Sequence, residues 1–182
     1  MKVYLVGAHS CGKSTLARYV SVKYNLPMIT ECARMILSEK ELQIDQLRYD
    51  LDIADQYQEE IFNRQLVEES KYESFVSDRS FDNLAYAAQH TRILSKLINS
   101  SALQEYLTVL RRPNSFIFFV RPTKATLKDD GVRESINWDG LIAIDSKIHF
   151  LLEMYSLKYF QINTANMQER IRLIDSTLSL SS

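Results

Sequence analysis

Glycine, proline and cysteine are scarce in this chain, at four, three and two residues among 182. With so few chain breakers and no stretch enriched in them, nothing marks a flexible linker. The length suits one domain, residues 1–182, with an inserted helical lobe. Cys11 and Cys32 lack metal-type spacing, and a disulfide at Cys11 would restrict the backbone around it. Both are read as free thiols in a reducing compartment. No apolar run approaches the ~20 residues needed to cross a bilayer. Met1 leads straight into an apolar strand rather than a leader segment, so the expectation is a cytoplasmic protein with no membrane partner. Charge of one sign is lacking too: the formal net charge of −1 gives no global pull toward nucleic acid. The only adjacent basic pair is Arg111-Arg112, so a nucleic-acid partner is disfavoured, while a homodimer stays open. There is no internal repeat, and the serine-rich end from Ser179 to Ser182 is expected to fray.

What is present is apolar, at 46% of residues, enough for a sizeable core. Short and nearly continuous apolar runs cover Val3–Val6, Met28–Thr30, Ser74–Ser77, Ser115–Val120 and Tyr159–Ile162. Such runs are the signature of strands buried on both faces of a parallel sheet. Helical patterns separate them, the alternation of an α/β fold. The longest helix is expected over Gln43–Ser70, with an apolar stripe through Ile44, Leu47, Leu51, Ala54, Tyr57, Ile61 and Leu66. Its acidic residues, Glu68 and Glu69 among them, read as a solvated face.

Between the first strand and the first helix lies Gly7-Ala-His9-Ser10-Cys11-Gly12-Lys13-Ser14-Thr15, a complete G-x-x-x-x-G-K-[ST] phosphate-binding loop. Its glycines allow a tight turn that brings N–H groups to a phosphate, and the helix adds its positive dipole end. Lys13 is expected to reach the β- and γ-phosphates of a nucleoside triphosphate, and Ser14 to hold Mg²⁺. Four further clusters belong with it. Phe75-Val76-Ser77-Asp78 is a strand ending in a carboxylate suited to Mg²⁺, followed at once by Arg79; Asp78 or Ser80 would also serve as a helix cap. Glu31 and Arg34 follow the second strand, one turn apart, where an acid accepts a proton or holds a sugar and a guanidinium clamps an anion, unless the two form a surface ion pair. Asp129-Asp130-Gly131-Val132-Arg133 follows the fourth strand, with Arg121 and Lys124 just before it. A glycine hinge beside an arginine suits a mobile lid, and a solvated charged loop fits the spacing as well. Asn163-Thr164-Ala165-Asn166 closes the last strand, with Asn166 placed to cap the final helix.

In this order the clusters resemble the P-loop nucleoside and nucleotide kinases grouped around the ribosylnicotinamide kinase domain of the bifunctional NAD-biosynthesis regulator. The resemblance runs from Gly7 to near Leu178. Asp78-Arg79-Ser80 is more similar to the Asp-Arg-[Ser/Tyr] element of deoxynucleoside and thymidylate kinases, and small phage-encoded kinases look similar. The resemblance implies a five-stranded parallel sheet of order 2-3-1-4-5 flanked by helices, with a lid over about residues 121–137. It implies ATP and Mg²⁺ as cofactors, with nucleotide on Gly7, His9, Ser10, Cys11, Gly12, Lys13, Ser14 and Thr15 and adenine against Asn163 and Thr164. Ser14 and Asp78 would be the metal ligands. Lys13, Glu31, Asp78 and Arg133 would be catalytic, and Glu31, Arg34, Asp78 and Arg79 would hold a small-molecule nucleoside or nucleotide acceptor. Two rivals stand beside this reading: a kinase of a modified nucleoside within DNA or of a polynucleotide end, and a regulatory NTPase. The first needs a basic track; a guanine switch would need Asn-Lys-x-Asp, which the chain lacks.

Overall fold

The computed structural model describes residues 1–30, 32–39, 47, 49–124 and 138–180, with Arg34 described in its backbone alone. Along the chain these form β1 (Lys2–Val6), α1 (Lys13–Tyr24), β2 (Met28–Ile29), α2 (Cys32–Glu39) and α3 (Leu51–Ser70). There follow β3 (Phe75–Asp78), α4 (Asn83–His90), α5 (Leu94–Ile98) and α6 (Ser101–Leu110). The chain continues through β4 (Ser115–Val120), α7 (Trp138–Met154), β5 (Phe160–Ile162) and α8 (Met167–Ser179). The five strands pair in parallel in the order β2-β3-β1-β4-β5, as the resemblance implied.

The period of two along the strands decides which helix packs where. Val3 and Leu5 point to one face, where Leu16, Ala17 and Val20 of α1 and Ile174 and Leu178 of α8 cover them. Tyr4 and Val6 point to the other, where Phe62 of α3, Leu84 of α4, Leu107 of α6 and Ile148 of α7 pack. That division follows from right-handed crossovers. The step from β1 out to β2 runs one way along the sheet and carries α1. Every later step runs the other way and carries its helices on the opposite face. The central strands β1, β3 and β4 are buried on both faces, whereas Phe160 on the edge strand β5 is 41% exposed.

Two expectations about the long helix fail. A continuous helix over Gln43–Ser70 is interrupted at Asp50, whose backbone is extended (φ −120°, ψ 102°) and whose carboxylate accepts from Asp52 and Ile53 N–H as the cap of α3. An aspartate that can satisfy two orphan N–H groups starts a helix here rather than continuing one. Residues 40–46 and 48 lie outside the described residues. Glu69, read as part of a solvated face, is 4% exposed. Its carboxylate accepts from Tyr106 OH (2.6 Å), Gln65 Nε2 (2.7 Å) and Tyr4 OH (3.2 Å). Three donors replace the water it gave up.

Candidate active site

β1 ends at the centre of the sheet, and the turn into α1 is governed by two glycines. Gly7 has φ +150°, and a Cβ there would lie 2.4 Å from the Val120 carbonyl oxygen at the end of β4. Only glycine lets the loop leave so close to its neighbouring strand. Gly12 sits at φ +91° as the cap of α1 and places no side chain on the helix's first N–H groups. The first turn of α1 also lacks an acidic residue. Its orphan N–H groups and dipole are therefore not neutralised by the helix itself, the condition for an anion site. Lys13 is 5% exposed. Its Nζ donates to the Ala8 carbonyl at 2.6 Å and lies 3.7 Å from Cys11 Sγ. His9 N–H donates to Tyr86 OH at 2.9 Å, fixing the tip of the loop to α4.

β3 delivers the next groups. Asp78 is in register with Leu5, and Arg79 N–H donates to the Leu5 carbonyl at 3.1 Å. The carboxylate thus emerges at the carboxyl edge of the sheet beside the loop, where open α/β sheets bind ligands. Ser14 Oγ donates to Asp78 Oδ2 at 2.5 Å, joining residues 64 positions apart. A hydroxyl and a carboxylate oxygen side by side suit Mg²⁺, which takes one or two protein oxygens and keeps several waters. Among the described residues no group of three or more His, Cys, Asp or Glu forms a metal cage. A cation here would complete its shell with phosphate and water.

Arg79 is a bulky residue at φ +108°, a conformation that costs about 1–3 kcal/mol and persists only when its surroundings enforce it. Asp82, fully buried, does so: Oδ2 accepts from Arg79 Nη1 at 3.2 Å and Oδ1 from Ser80 N–H at 2.7 Å. The guanidinium lies 5.1 Å from the centre of the Tyr86 ring. Neither Asp78 nor Ser80 caps a helix as expected, because α4 begins only at Asn83.

In the turn after β5, Asn163 Oδ1 accepts from Gln161 Nε2 at 2.7 Å, and Thr164 Oγ1 donates to Glu169 at 2.5 Å. Asn166 caps α8 as expected, accepting from Gln168 and Glu169 N–H. Arg170 of α8 reaches both this turn and the phosphate loop, donating from Nε to the Thr164 carbonyl and from Nη1 to the Cys11 carbonyl, each at 2.6 Å. Glu31 and the Asp129–Arg133 segment with Gly131 lie outside the described residues, as does the side chain of Arg34.

The structure therefore brings together Gly7–Thr15, Asp78 and Arg79, and ties the 163–164 turn to them through Arg170. Sequence reasoning missed Asp82, Tyr86 and Arg170. The i, i+3 spacing of Arg79 and Asp82 was a usable signal. Arg170 also left a trace, since it falls on the apolar stripe of α8 with Met167, Ile171, Ile174 and Leu178. Tyr86 left none. The basic pair Arg111-Arg112 lies elsewhere, where the Arg112 carbonyl accepts from Ser115 N–H at the opposite, amino end of β4.

A family model described as AAA domain matches residues 2–170. No curated protein sequence matches the chain. Among solved structures, the fold is similar to that of NadR protein in complex with NR, with a TM-score of 0.70 and 18% identity. That match covers 91% of this chain and 46% of the other, so the chain spans about half the length of that protein. It is similar to deoxyadenosine kinase from M. mycoides with products dCMP and a flexible dCDP bound, at TM-score 0.69 and 16% identity over 100% of both chains. Shikimate kinase from Acinetobacter baumannii in complex with shikimate aligns at TM-score 0.55 and 12% identity, over 97% of this chain and 93% of that one. At such identities the likeness establishes the fold, a five-stranded P-loop kinase-type sheet.

Proposed function

The chain belongs to the AAA domain family, and we propose that it is an ATP- and Mg²⁺-dependent kinase that transfers the γ-phosphoryl group to a nucleoside or nucleotide. The observation that supports this reading is the 2.5 Å hydrogen bond from Ser14 to Asp78, a hydroxyl and a carboxylate of the kind Mg²⁺ takes, beside a complete phosphate-loop motif. Gly7–Thr15 would wrap the triphosphate, and Lys13 would exchange the Ala8 carbonyl for the β- and γ-phosphates. Ser14 and Asp78 would hold Mg²⁺, which supplies charge neutralisation on the phosphates when bound. Arg79, preset by Asp82 and Tyr86, would bind the acceptor from its side of the cleft.

In the transfer itself an acceptor oxygen bonds to the γ-phosphorus, the bond to the β–γ bridging oxygen breaks, and ADP leaves with that electron pair. The acceptor's proton passes to a carboxylate, for which Glu31 is proposed, with Arg34 binding the acceptor beside it. Arg133, from a lid over about residues 121–137, is proposed to meet the charge on the phosphoryl group. Asn163 and Thr164 are proposed to face adenine. Positioning and charge neutralisation supply the rate in such chemistry. We further propose that residues 1–182 act as one cytoplasmic kinase domain on small-molecule acceptors. The remoteness of Arg111-Arg112 from the phosphate loop supports a small acceptor over a polynucleotide.

A panel of nucleosides and nucleoside monophosphates, incubated with ATP and Mg²⁺ and read by mass spectrometry, tests the proposal. The expected product is one acceptor heavier by a phosphoryl group, with one ADP formed per product. Phosphorylation of an oligonucleotide but of no free nucleoside or nucleotide would replace the acceptor class.

A further inference from the structure

Among the described residues Arg170 is the largest fully buried side chain, at 0% exposure. Burial of a guanidinium is costly unless its donors and charge are met. Among the described residues its partners are two carbonyl oxygens, those of Cys11 and Thr164, and Nη2 has none. Burial draws its pKa below the ordinary arginine value, although a guanidinium stays charged. A cation serving only to fasten α8 would be expected to pair with a carboxylate. Instead the charge lies directly behind the phosphate loop, so close that a Cβ on Gly12 would sit 3.1 Å from Nη1.

The orientation of one peptide gives this contact a consequence. No cis peptide bond occurs among the described residues. In the trans Cys11–Gly12 unit, a carbonyl turned to Arg170 sets the Gly12 N–H on the opposite side. The guanidinium thus fixes the direction of that N–H and, by polarising the peptide, strengthens it as a donor. Its other arm holds the Thr164 carbonyl in the turn after β5.

We propose that Arg170 is a positioning residue for the nucleotide. One buried guanidinium locks the Cys11–Gly12 peptide to the 163–164 turn, so that the polyphosphate and the base of a nucleoside triphosphate are gripped as one unit. The inference rests on the kinase reading above, in which these two segments hold the two ends of ATP. Among the described residues no carboxylate pairs with this charge, and the polyphosphate would complement it on occupying the loop.

The test uses the full chain and its Arg170→Met and Arg170→Lys variants, titrated calorimetrically with Mg·ATP and with inorganic tripolyphosphate. Arg170→Met is expected to weaken Mg·ATP by about 10- to 100-fold, the effect of losing hydrogen bonds from a charged donor. It should also bring the ATP and tripolyphosphate affinities to within about threefold of each other, because the base no longer adds to a loop it is uncoupled from. In turnover, the KM for ATP should rise while kcat and the acceptor KM stay within about threefold. Arg170→Lys, with one point-like donor for two carbonyls, should fall between wild type and Arg170→Met. If Arg170→Met does not fold, the lysine variant carries the test, with an expected rise of about fivefold or more in the KM for ATP. A folded variant with ATP affinity and KM within about twofold of wild type overturns the proposal and leaves the kinase reading standing. Wild-type protein that binds neither ATP nor tripolyphosphate overturns the kinase reading, and this inference with it.

Discussion

Lys13 lies almost wholly within the protein, its ammonium resting on the loop's own Ala8 carbonyl. In the proposed site the charge is thus held in place before any phosphate would arrive. Lys13→Ala should lower kcat/KM by about 100-fold or more, since lost electrostatic stabilisation of the transferring group is of that size. The circular dichroism spectrum should stay that of wild type. The role proposed for Asp78 predicts a change in a different quantity. Asp78→Asn keeps the shape and an acceptor for Ser14 but removes the negative charge, so half-saturation by Mg²⁺ should move up by about tenfold or more. A Mg²⁺ titration of activity at saturating ATP reads this directly. Glu69 belongs to the core rather than to catalysis. Burial pushes its pKa up to about 7 from an ordinary 4.5, outweighing the three hydrogen bonds that pull it down. The unfolded chain gives up this proton near 4.5 while the folded chain holds it to about 7. The stability contributed by the protonated form is therefore full below 4.5 and lost as pH rises through 7. Glu69→Gln should flatten the fall of Tm across that window, as thermal melts between the two pH values would show.

Among the elements, α3 shows how one side chain sets a boundary. Asp50→Ala should cost about 1 kcal/mol, the usual value of a helix cap, with kcat and KM unchanged because the cap lies outside the site. Urea unfolding and steady-state kinetics on the same preparation check both halves. The strands were legible because burial on both faces leaves an apolar run: Val3–Val6 became Lys2–Val6, and Ser115–Val120 matched at both ends. The phosphate loop was legible because its chemistry is local, contained within nine consecutive residues. The break at Asp50 was hidden by an apolar stripe that continues through it. Glu69 was misread because its partners Tyr4 and Tyr106 lie 65 and 37 residues away, and a local pattern cannot register them. Arg170 shows itself locally only by its place on the apolar stripe of α8, while its bond to Cys11 spans 159 residues. Charges on helices read as solvated unless a distant partner is known.

Across the whole molecule, strand order and crossover hand converge on one place. The order β2-β3-β1-β4-β5 puts β1 between β3 and β4, so the loop leaving β1 meets Asp78 on one side and Val120 on the other. Helix α8 returns from the sheet's far edge to brace that loop through Arg170. Among the described residues no helix is long and apolar enough to cross a membrane. The arrangement is one of positioned charges around the proposed nucleotide site, and such a site would serve either transfer to an acceptor or hydrolysis. Those outcomes differ in one measurable ratio, the rate of ADP release from Mg·ATP with the phosphorylated acceptor's parent present against the rate without it. A kinase should show a ratio of about 100 or more, because water lacks the binding energy that orients an acceptor hydroxyl. Equal rates with and without acceptor, both abolished in Lys13→Ala, would contradict the account and make the protein an NTPase.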